Sequence, residues 1–459
     1  MLQQLSPFVK TAWVLIILFV GALAVHQANP EGVDNAGNSE DATGLVIVRL
    51  QAELILGGSP EVSSSSAAML NVGTVGQRQR YIAFMIALDD LDAASAAVLG
   101  MQAGLISEGM EMTEQESMTQ ELLGILIEGG KLPPEHTPLV VTLGWFGTFL
   151  QADEAQRKEI KNTAEKKVMI ASTVVFLVGL AAVIGLVFVI LKLVKAFDGQ
   201  LESGLAHPEK NHGIYAEVFV LWLLALIGFQ MLAGFIGKLV ANGNVAMSLL
   251  FVLIAFFGSL VVLFWARIRG ISFKQILVDI GWTTGRGLMR ETLTGIAGYA
   301  MMLPFLGIGV SITLLLFVVQ QFLTGGAGAE SFQGTGGGSH PIIVDLSHGV
   351  WSTKLLLVFM AAVAAPVVEE TVFRGVLYRQ LRSSSCKFPK TLSIIFSVFL
   401  VSFVFAAIHP QGWIAIPALM GIAVGMNLMR EWRGSLIPSM VVHGVSNGIV
   451  VSMMVLMLS

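Results

Sequence analysis

Long apolar runs separated by short polar connections dominate the pattern of hydrophobic and polar positions along this chain. A helix needs about 20 consecutive apolar residues to cross the hydrocarbon core of a bilayer. Nine stretches approach or exceed that length, and they predict up to nine membrane-spanning helices. The candidate spans are 11–28, 168–191, 214–236, 245–266, 293–321, 351–370, 391–409, 413–429 and 435–457.

The first apolar run, 11–28, has two interpretations. Lys10 before it and the small residues Ala22, Ala24 and Ala28 towards its end fit a cleaved signal peptide. The length of the run favours an uncleaved membrane anchor. The predicted fold class is therefore all-α: a polytopic membrane helix bundle of eight or nine transmembrane helices with a mostly helical soluble insert.

Composition supports this assignment. The chain has 459 residues, of which 54% are hydrophobic and only 13% charged, and its mean hydropathy is +0.76. Soluble domains carry roughly 25% charged residues, so the excess apolar surface must face lipid in an integral membrane protein. The single cysteine, Cys386, excludes a disulfide framework and a Cys-rich zinc site. Nothing in the charge pattern indicates nucleic-acid binding.

Charge is unevenly distributed, and residues 29–167 hold most of the acid. That stretch contains 9 Lys+Arg and 20 Asp+Glu, whereas the remainder has a net charge of +7. Lysines crowded at 158–167 are the exception to its acidity. Apolar residues recur at helical spacing over 79–105 and 117–128. The stretch reads as an acidic, mostly helical insert, and we find no catalytic constellation in it.

Basic connections between spans set the expected orientation. The connections 267–292 and 374–390 each carry five Lys+Arg, and a third basic turn lies at 430–433. By contrast, 322–350 has none. Because cytoplasmic loops are enriched in Lys and Arg, the amino terminus is expected inside and 29–167 outside the cell membrane. The lysine-rich end of the insert disagrees with this orientation.

These observations divide the chain into four expected parts. Residues 1–28 are the amino-terminal anchor or signal-like segment, and 29–167 form the extracytoplasmic insert. Residues 168–290 supply membrane helices and a basic cytoplasmic connection. The remaining part, 291–459, concentrates the polar motifs described next, which lie within 365–450.

Ionisable groups inside membrane spans cost about 2.5–3.5 kcal/mol each on the lenient insertion scale, so they mark function by default. Glu369, Glu370 and Arg374 follow an apolar run. Residues four apart share a helix face, so Arg374 can hold Glu370 as the ionised, structural member. Glu369 is then freer to exchange a proton, as a general base must. Glu217 and Lys354 lie near span ends, where snorkelling explains them.

Two further motifs follow on the next spans. His409 comes four residues after Phe405, which is expected to pack against it and exclude water, and His443 lies four residues before Asn447. The latter pair can donate hydrogen bonds to a developing oxyanion. Each motif alone has an ordinary interpretation, as a solvated helix end or a bonded core histidine. Their succession on three hydrophobic units favours a catalytic site.

Three stretches of sequence contain these motifs: "APVVEETVFRGVLYRQL" (365–381), "FVFAAIHPQGW" (403–413) and "GSLIPSMVVHGVSNGIV" (434–450). In these three stretches the chain resembles the CPBP intramembrane proteases, also called the Abi or CAAX-protease-like family, which includes the type II CAAX prenyl endopeptidases. The resemblance implies that Glu369 and His409 activate water, and that His443 and Asn447 stabilise the oxyanion. It assigns Glu370 and Arg374 to ordering the site.

The resemblance also implies hydrolysis of a peptide bond in a membrane-associated protein or peptide, within or beside the lipid bilayer. Glu369 must then meet both histidines. The simplest solution extends its helix to about Arg382, so that Glu369 lies well inside the membrane and the site opens towards the basic side.

Metal dependence has two interpretations. Glu369, His409 and His443 could form a two-His, one-carboxylate zinc site with a position left for water. There is no His-Glu-x-x-His motif, and Asn447 suits an oxyanion role better than zinc ligation. We favour a metal-independent glutamate protease without a cofactor, with zinc as the alternative.

Two functions without proteolysis are also compatible with buried Glu, Arg and His on adjacent spans. One is a proton-coupled membrane transporter, although the sequence has no inverted repeat and no paired broken helices. The other is a catalytically inactive membrane scaffold that retains the motifs.

Overall fold

The computed structural model describes residues 7–28, 42–58, 64–71, 73–108, 112–130, 138–200, 202–205, 213–323, 346 and 349–458. These residues form helices and their connections, with no strand among them. In chain order the helices are α1 (Pro7–Ala28), α2 (Ala42–Gly58), α3 (Ser64–Ala67), α4 (Val75–Ala87), α5 (Leu91–Glu108), α6 (Glu114–Ile127), α7 (Pro138–Leu143), α8 (Trp145–Gln151), α9 (Glu154–Phe197), α10 (Ile214–Val240), α11 (Val245–Ile268), α12 (Phe273–Ile280), α13 (Leu288–Leu323), α14 (Trp351–Ser384), α15 (Lys390–Ala407), α16 (Trp413–Arg433) and α17 (Ile437–Leu458).

Among the described residues, eight helices are long and apolar enough to cross a membrane. They are α9, α10, α11, α13, α14, α15, α16 and α17. The predicted class of an all-α polytopic bundle is confirmed, and the protein is an integral membrane protein. The first predicted span forms α1, but its described apolar stretch, Phe8–Ala22, is shorter than the other eight.

The chain forms two compact units. The first contains Met1–Val33 and Phe176–Val455, and the second contains Asp34–Val175 and Leu456–Ser459. The connection 322–350, which carries no Lys or Arg, lies almost wholly outside the described residues.

The second unit packs around α4. Phe84 is fully buried, and its ring lies 5.9–6.4 Å from the rings of Trp145, Phe146 and Phe149 on α8. The helical periodicity predicted over 79–105 is interrupted, because α4 ends at Ala87 and α5 begins at Leu91. Asp89 in the intervening turn has φ of 60°, which a continuous helix cannot contain.

In the first unit, α13 and α16 approach so closely that glycine is required at their contact. A Cβ on Gly421 would meet the carbonyl oxygen of Phe305, and one on Gly309 would meet that of Pro417. Helices in lipid gain little from excluding water, so small residues that permit close backbone packing take over that role. The α13–α16 pair is thus fixed by backbone proximity.

Several arginines that set the expected orientation are buried partners of acids within the first unit. Arg379 pairs with Asp279 at 2.8 Å, and Arg382 pairs with Glu431 at 3.0 Å. Arg433 makes a two-pronged pair with Glu291 at 2.6 and 2.9 Å. These side chains therefore serve packing as well as any charge bias between the two membrane faces.

Snorkelling is the wrong explanation for Glu217. Its side chain is buried, accepts a hydrogen bond from the indole of Trp265 at 2.8 Å, and pairs with Arg269 at 3.1 Å. Lys354 is also buried, and its ammonium lies 5.5 Å from the centre of the Trp351 ring. The sequence shows their proximity to span ends but not these contacts: Trp265 and Arg269 reach Glu217 from the end of α11, whereas Trp351 is on the same helix as Lys354.

Replacing Glu291 with Gln tests how strongly one buried pair holds the bundle. The change leaves the Arg433 guanidinium buried without its counter-charge, which typically costs about 3–5 kcal/mol. We expect a clearly lower thermal midpoint for the purified protein in detergent. The double variant Glu291→Leu/Arg433→Met should recover much of the loss, because it removes both charges. An unchanged midpoint in Glu291→Gln would show that the pair contributes nothing.

Candidate functional site

Three helices of the first unit bring the predicted residues together. Glu369 and Glu370 lie in α14. This helix continues past the predicted span to Ser384, close to the predicted end at about Arg382. His409 lies in the turn just after α15, and His443 and Asn447 lie on α17. Packing of the bundle thus brings together residues that are up to 78 positions apart in sequence, from Glu369 to Asn447.

Two π-helical segments flank the paired carboxylates on α14. The first is Met360–Ala364 and the second is Thr371–Leu377. Such segments widen a helix by one residue per turn and occur frequently at functional sites. Glu369 and Glu370 lie in the α-helical piece between them, where adjacent side chains point about 100° apart, so each carboxylate faces a different set of partners.

Glu369 is the point where the two histidines converge. Its Oε2 lies 3.9 Å from Nε2 of His409 and 3.9 Å from Nε2 of His443. The Glu369 side chain is 18% exposed, but Oε2 itself is buried and has no hydrogen-bond partner among the described residues. Each histidine therefore lies close enough to Glu369 for a single water molecule to bridge the two side chains.

The ring orientation of His409 is set by the end of α15. Its Nδ1 lies 2.6 Å from the carbonyl oxygen of Phe405. A carbonyl only accepts hydrogen bonds, so Nδ1 carries the proton and Nε2 of the neutral ring presents a lone pair towards Glu369.

His443 is oriented by the second carboxylate. Its Nδ1 donates to Oε1 of Glu370 at 2.9 Å, and the same oxygen accepts from Nη1 of Arg374 at 2.9 Å. The side chains of Glu370 and Arg374 are fully buried. The predicted pairing of Glu370 with Arg374 is thus present, and it fixes the ring of His443 as well.

The Phe405 ring connects these groups. Its centre lies 4.3 Å from that of His409 and 6.0 Å from that of His443, and the Arg374 guanidinium lies 4.5 Å from it. Phe373 packs edge-on against it at 5.1 Å. Phe405 therefore forms the apolar wall that sequence spacing predicts, and it also contacts the buried cation.

Asn447 is one turn from His443 but is held by a different group. Its Nδ2 donates to the carbonyl oxygen of Ala361 at 3.0 Å, inside the first π-helical segment. One of its two N–H groups is therefore engaged with α14. Its share in stabilising an oxyanion remains a prediction.

The donor set fits a zinc ion poorly. Among the described residues, no group of three His, Cys, Asp or Glu side chains is arranged to hold a metal ion. Zinc bonds of about 2.0–2.2 Å in a tetrahedral site separate neighbouring ligand atoms by about 3.3–3.6 Å. The separations of 3.9 Å from Glu369 Oε2 to Nε2 of His409 and of His443 exceed that range.

A layer of polar contacts beneath the site was not foreseen from sequence. Arg430 donates to the carbonyl oxygens of Arg374 at 3.2 Å and Asp279 at 2.8 Å. The indole of Trp282 donates to the Thr371 hydroxyl at 2.9 Å. The available signal was an arginine directly after the predicted span 413–429, which we interpreted only as part of a basic turn.

The comparison with known families agrees with the predicted resemblance. Residues 351–449 match the family model described as type II CAAX prenyl endopeptidase Rce1-like. The match covers α14, α15, α16 and the part of α17 that holds His443 and Asn447. No curated protein and no solved structure matches the chain.

The two adjacent glutamates offer a matched stability test. Glu370→Gln removes the counter-charge of fully buried Arg374, and we expect a loss of about 3–5 kcal/mol. Glu369→Gln removes a charge from a partly exposed position without a hydrogen-bonded partner, so its stability should change by less than about 1 kcal/mol. Thermal unfolding of both variants in the same detergent measures the difference. Equal melting of the two variants would contradict the separate roles assigned to the carboxylates.

Proposed function

We propose that this protein is an intramembrane endopeptidase that hydrolyses a peptide bond of a membrane-associated substrate. The observation that carries the proposal is the convergence of Glu369 Oε2 with Nε2 of His409 and His443, each at 3.9 Å. The family match over 351–449 supports the same class of reaction.

The spacing suits one water molecule. Two groups 3.9 Å apart that each lie about 2.8 Å from the same oxygen subtend an angle of about 90° there, which a hydrogen-bonded water tolerates. A water between Glu369 and His409 donates one hydrogen to each, because both present lone pairs. Its oxygen lone pair is then directed away from these acceptors and towards a substrate carbonyl carbon.

Glu369 acts as the general base. As the water oxygen bonds to the carbonyl carbon, its proton passes to Glu369, and the carbonyl oxygen becomes an oxyanion. Glu369 then returns the proton to the amide nitrogen, the oxyanion re-forms a carbonyl as the C–N bond breaks, and a carboxylic acid and an amine result. Transfer of the acid proton to the amine gives the final carboxylate and ammonium products. Proton transfers of this kind typically accelerate reactions by about 10²–10⁴-fold.

His443 and Asn447 are assigned to the oxyanion. His443 donates Nδ1–H to Glu370 and Nε2–H to the oxyanion, and the negative charges of Glu370 and the oxyanion together compensate those of Arg374 and the doubly protonated ring. The second N–H of Asn447 supplies another donor. Glu370 and Arg374 position His443, and Phe405 limits the access of water.

The proposal includes an orientation and a division of the chain. We place the protein in the cell membrane with its amino terminus inside and residues 29–167 outside, following the basic connections at 267–292. Residues 1–28 anchor the chain, and 168–290 provide membrane helices and the cytoplasmic connection. The protease core is 291–459, and it opens towards the inner side.

Loss of the Glu369 base should abolish cleavage. Membranes of cells producing the wild type or Glu369→Gln are compared by mass-spectrometric mapping of peptide termini. We expect a set of termini whose abundance falls by about 10²-fold or more in Glu369→Gln and in His409→Ala. Glu154→Gln, an exposed change of the same type, serves as the control and should match wild type. The sequences around these termini distinguish prenylated C-a-a-X tails, leader peptides and membrane-protein tails.

Identical termini in wild type and Glu369→Gln, with both proteins folded, would contradict the proposal. Proton flux into proteoliposomes that depends on Glu369, without any cleavage, would instead support the transporter alternative. Absence of both activities would support a scaffold.

Metal independence is tested separately. The spacing of Glu369, His409 and His443 suits a bridging water better than a tetrahedral ion. We expect the purified enzyme to retain full cleavage of a substrate peptide in strong chelator, and elemental analysis to find no stoichiometric zinc. Loss of activity on chelation and its rescue by zinc would favour the two-His, one-carboxylate metal site.

A further inference from the structure

A cavity of about 480 Å³ lies in the first unit, where the end of α9 meets α13 and α16. Its apolar lining includes Val189, Met301, Phe305 and Leu428. This volume falls in the range of pockets that hold small ligands. The α9 helix beside it exposes a succession of large apolar side chains, as expected for a lipid-facing surface, so an occupant can enter from the bilayer.

The end of the cavity nearest the helix termini is basic. Lys192 and Lys195 line it from the last turns of α9 and lie on one helix face. The Lys192 ammonium lies 3.9 Å from the centre of the Trp432 ring, an aromatic residue of the kind enriched at membrane interfaces. Neither lysine makes a salt bridge with any described residue.

The acids that share this cavity are already engaged. Glu431 accepts hydrogen bonds from Tyr378 at 2.8 Å and from Arg382 at 3.0 Å. Glu202 accepts from the indole nitrogen of Trp432 at 3.1 Å, and this bond, followed by the charge of Lys192, lowers the pKa of Glu202. Arg382 thus balances the charge of Glu431. Glu202 keeps its charge near Lys192 but forms no salt bridge with either lysine, so both ammonium groups can still contact a ligand with a negative group.

The cavity is separate from the catalytic residues. At 100° per residue, Gly425, Leu428 and Trp432 lie on one face of α16, and Ala423 and Arg430 lie on the opposite face. That opposite face contacts Arg374 through the Ala423 carbonyl and the Arg430 guanidinium. An occupant of the cavity is thus screened from Glu369 by the whole helix.

We propose that this cavity binds one anionic phospholipid of the surrounding bilayer, with an acyl chain against the apolar wall and the phosphate at Lys192 and Lys195. A free phosphate would leave the apolar wall unused, and a zwitterionic lipid would bring a positive group to the lysine pair. An anionic lipid matches both ends of the cavity.

The test uses full-length Glu369→Gln protein, so that proteolysis cannot contribute. The protein is delipidated in detergent and titrated with dioleoyl phosphatidylglycerol or dioleoyl phosphatidylcholine, and bound lipid is counted by native mass spectrometry. We expect one phosphatidylglycerol per chain, bound about tenfold or more tightly than phosphatidylcholine. Lys192→Gln/Lys195→Gln should remove that preference, because each basic residue contributes about fivefold.

Two further variants distinguish the contribution of the lipid's acyl chain from that of its headgroup. Ala196→Phe places a ring in the cavity without altering charge and should abolish binding of both lipids. Lys274→Gln, an exposed lysine on α12, should bind as the parent does. Equal affinity for the two lipids, unchanged binding in the double lysine variant, or competition by soluble glycerol 3-phosphate at the same concentration would each overturn the proposal. Thermal midpoints of all variants verify that they are folded.

Discussion

Burial of the Glu370–Arg374 ion pair constrains everything packed around it, because two charges removed from water must be supplied with partners on every side. The pair meets that demand with groups from three other parts of the bundle: the imidazole of His443, the face of Phe405 and the carbonyl of Ala423. Each of these contacts fixes a neighbouring element. The ion pair therefore orients α15, α16 and α17 around α14, and the convergence of both histidines on Glu369 follows from that arrangement.

Burial of the same pair carries a desolvation cost that offsets much of its contribution to the stability of the bundle. Oε2 of Glu370 and Nε of Arg374 are buried without hydrogen-bond partners among the described residues, so their desolvation is only partly offset. Apolar side chains of similar size would often stabilise such a site equally well or better. Retention of the charged pair is understandable if its purpose is to hold the ring of His443 in one orientation beside Glu369.

The local contacts of this site could be predicted from the sequence, because they follow from helical spacing. The pairing of Glu370 with Arg374, and the contact of Phe405 with His409, each join residues four apart, which any helix brings together. Contacts between distant helices left no such pattern: neither the bond from Arg430 to the Arg374 carbonyl nor the pair of Glu217 with Arg269 could be read from spacing. The break between α4 and α5 was missed for a related reason, since apolar periodicity continues through the turn.

Helix α16 reconciles two requirements that conflict in a membrane enzyme. A hydrolytic site needs water and fixed charges, whereas the lipid-facing surface of the bundle excludes both. Gly421 allows the backbone of α16 to pack directly on α13, so the helix has little freedom to rotate. One of its faces can then carry Arg430 to the polar contacts around Arg374, and the other can line the cavity with Leu428. Separation of the two environments by a single rigid helix allows each to be tuned by substitutions on its own face.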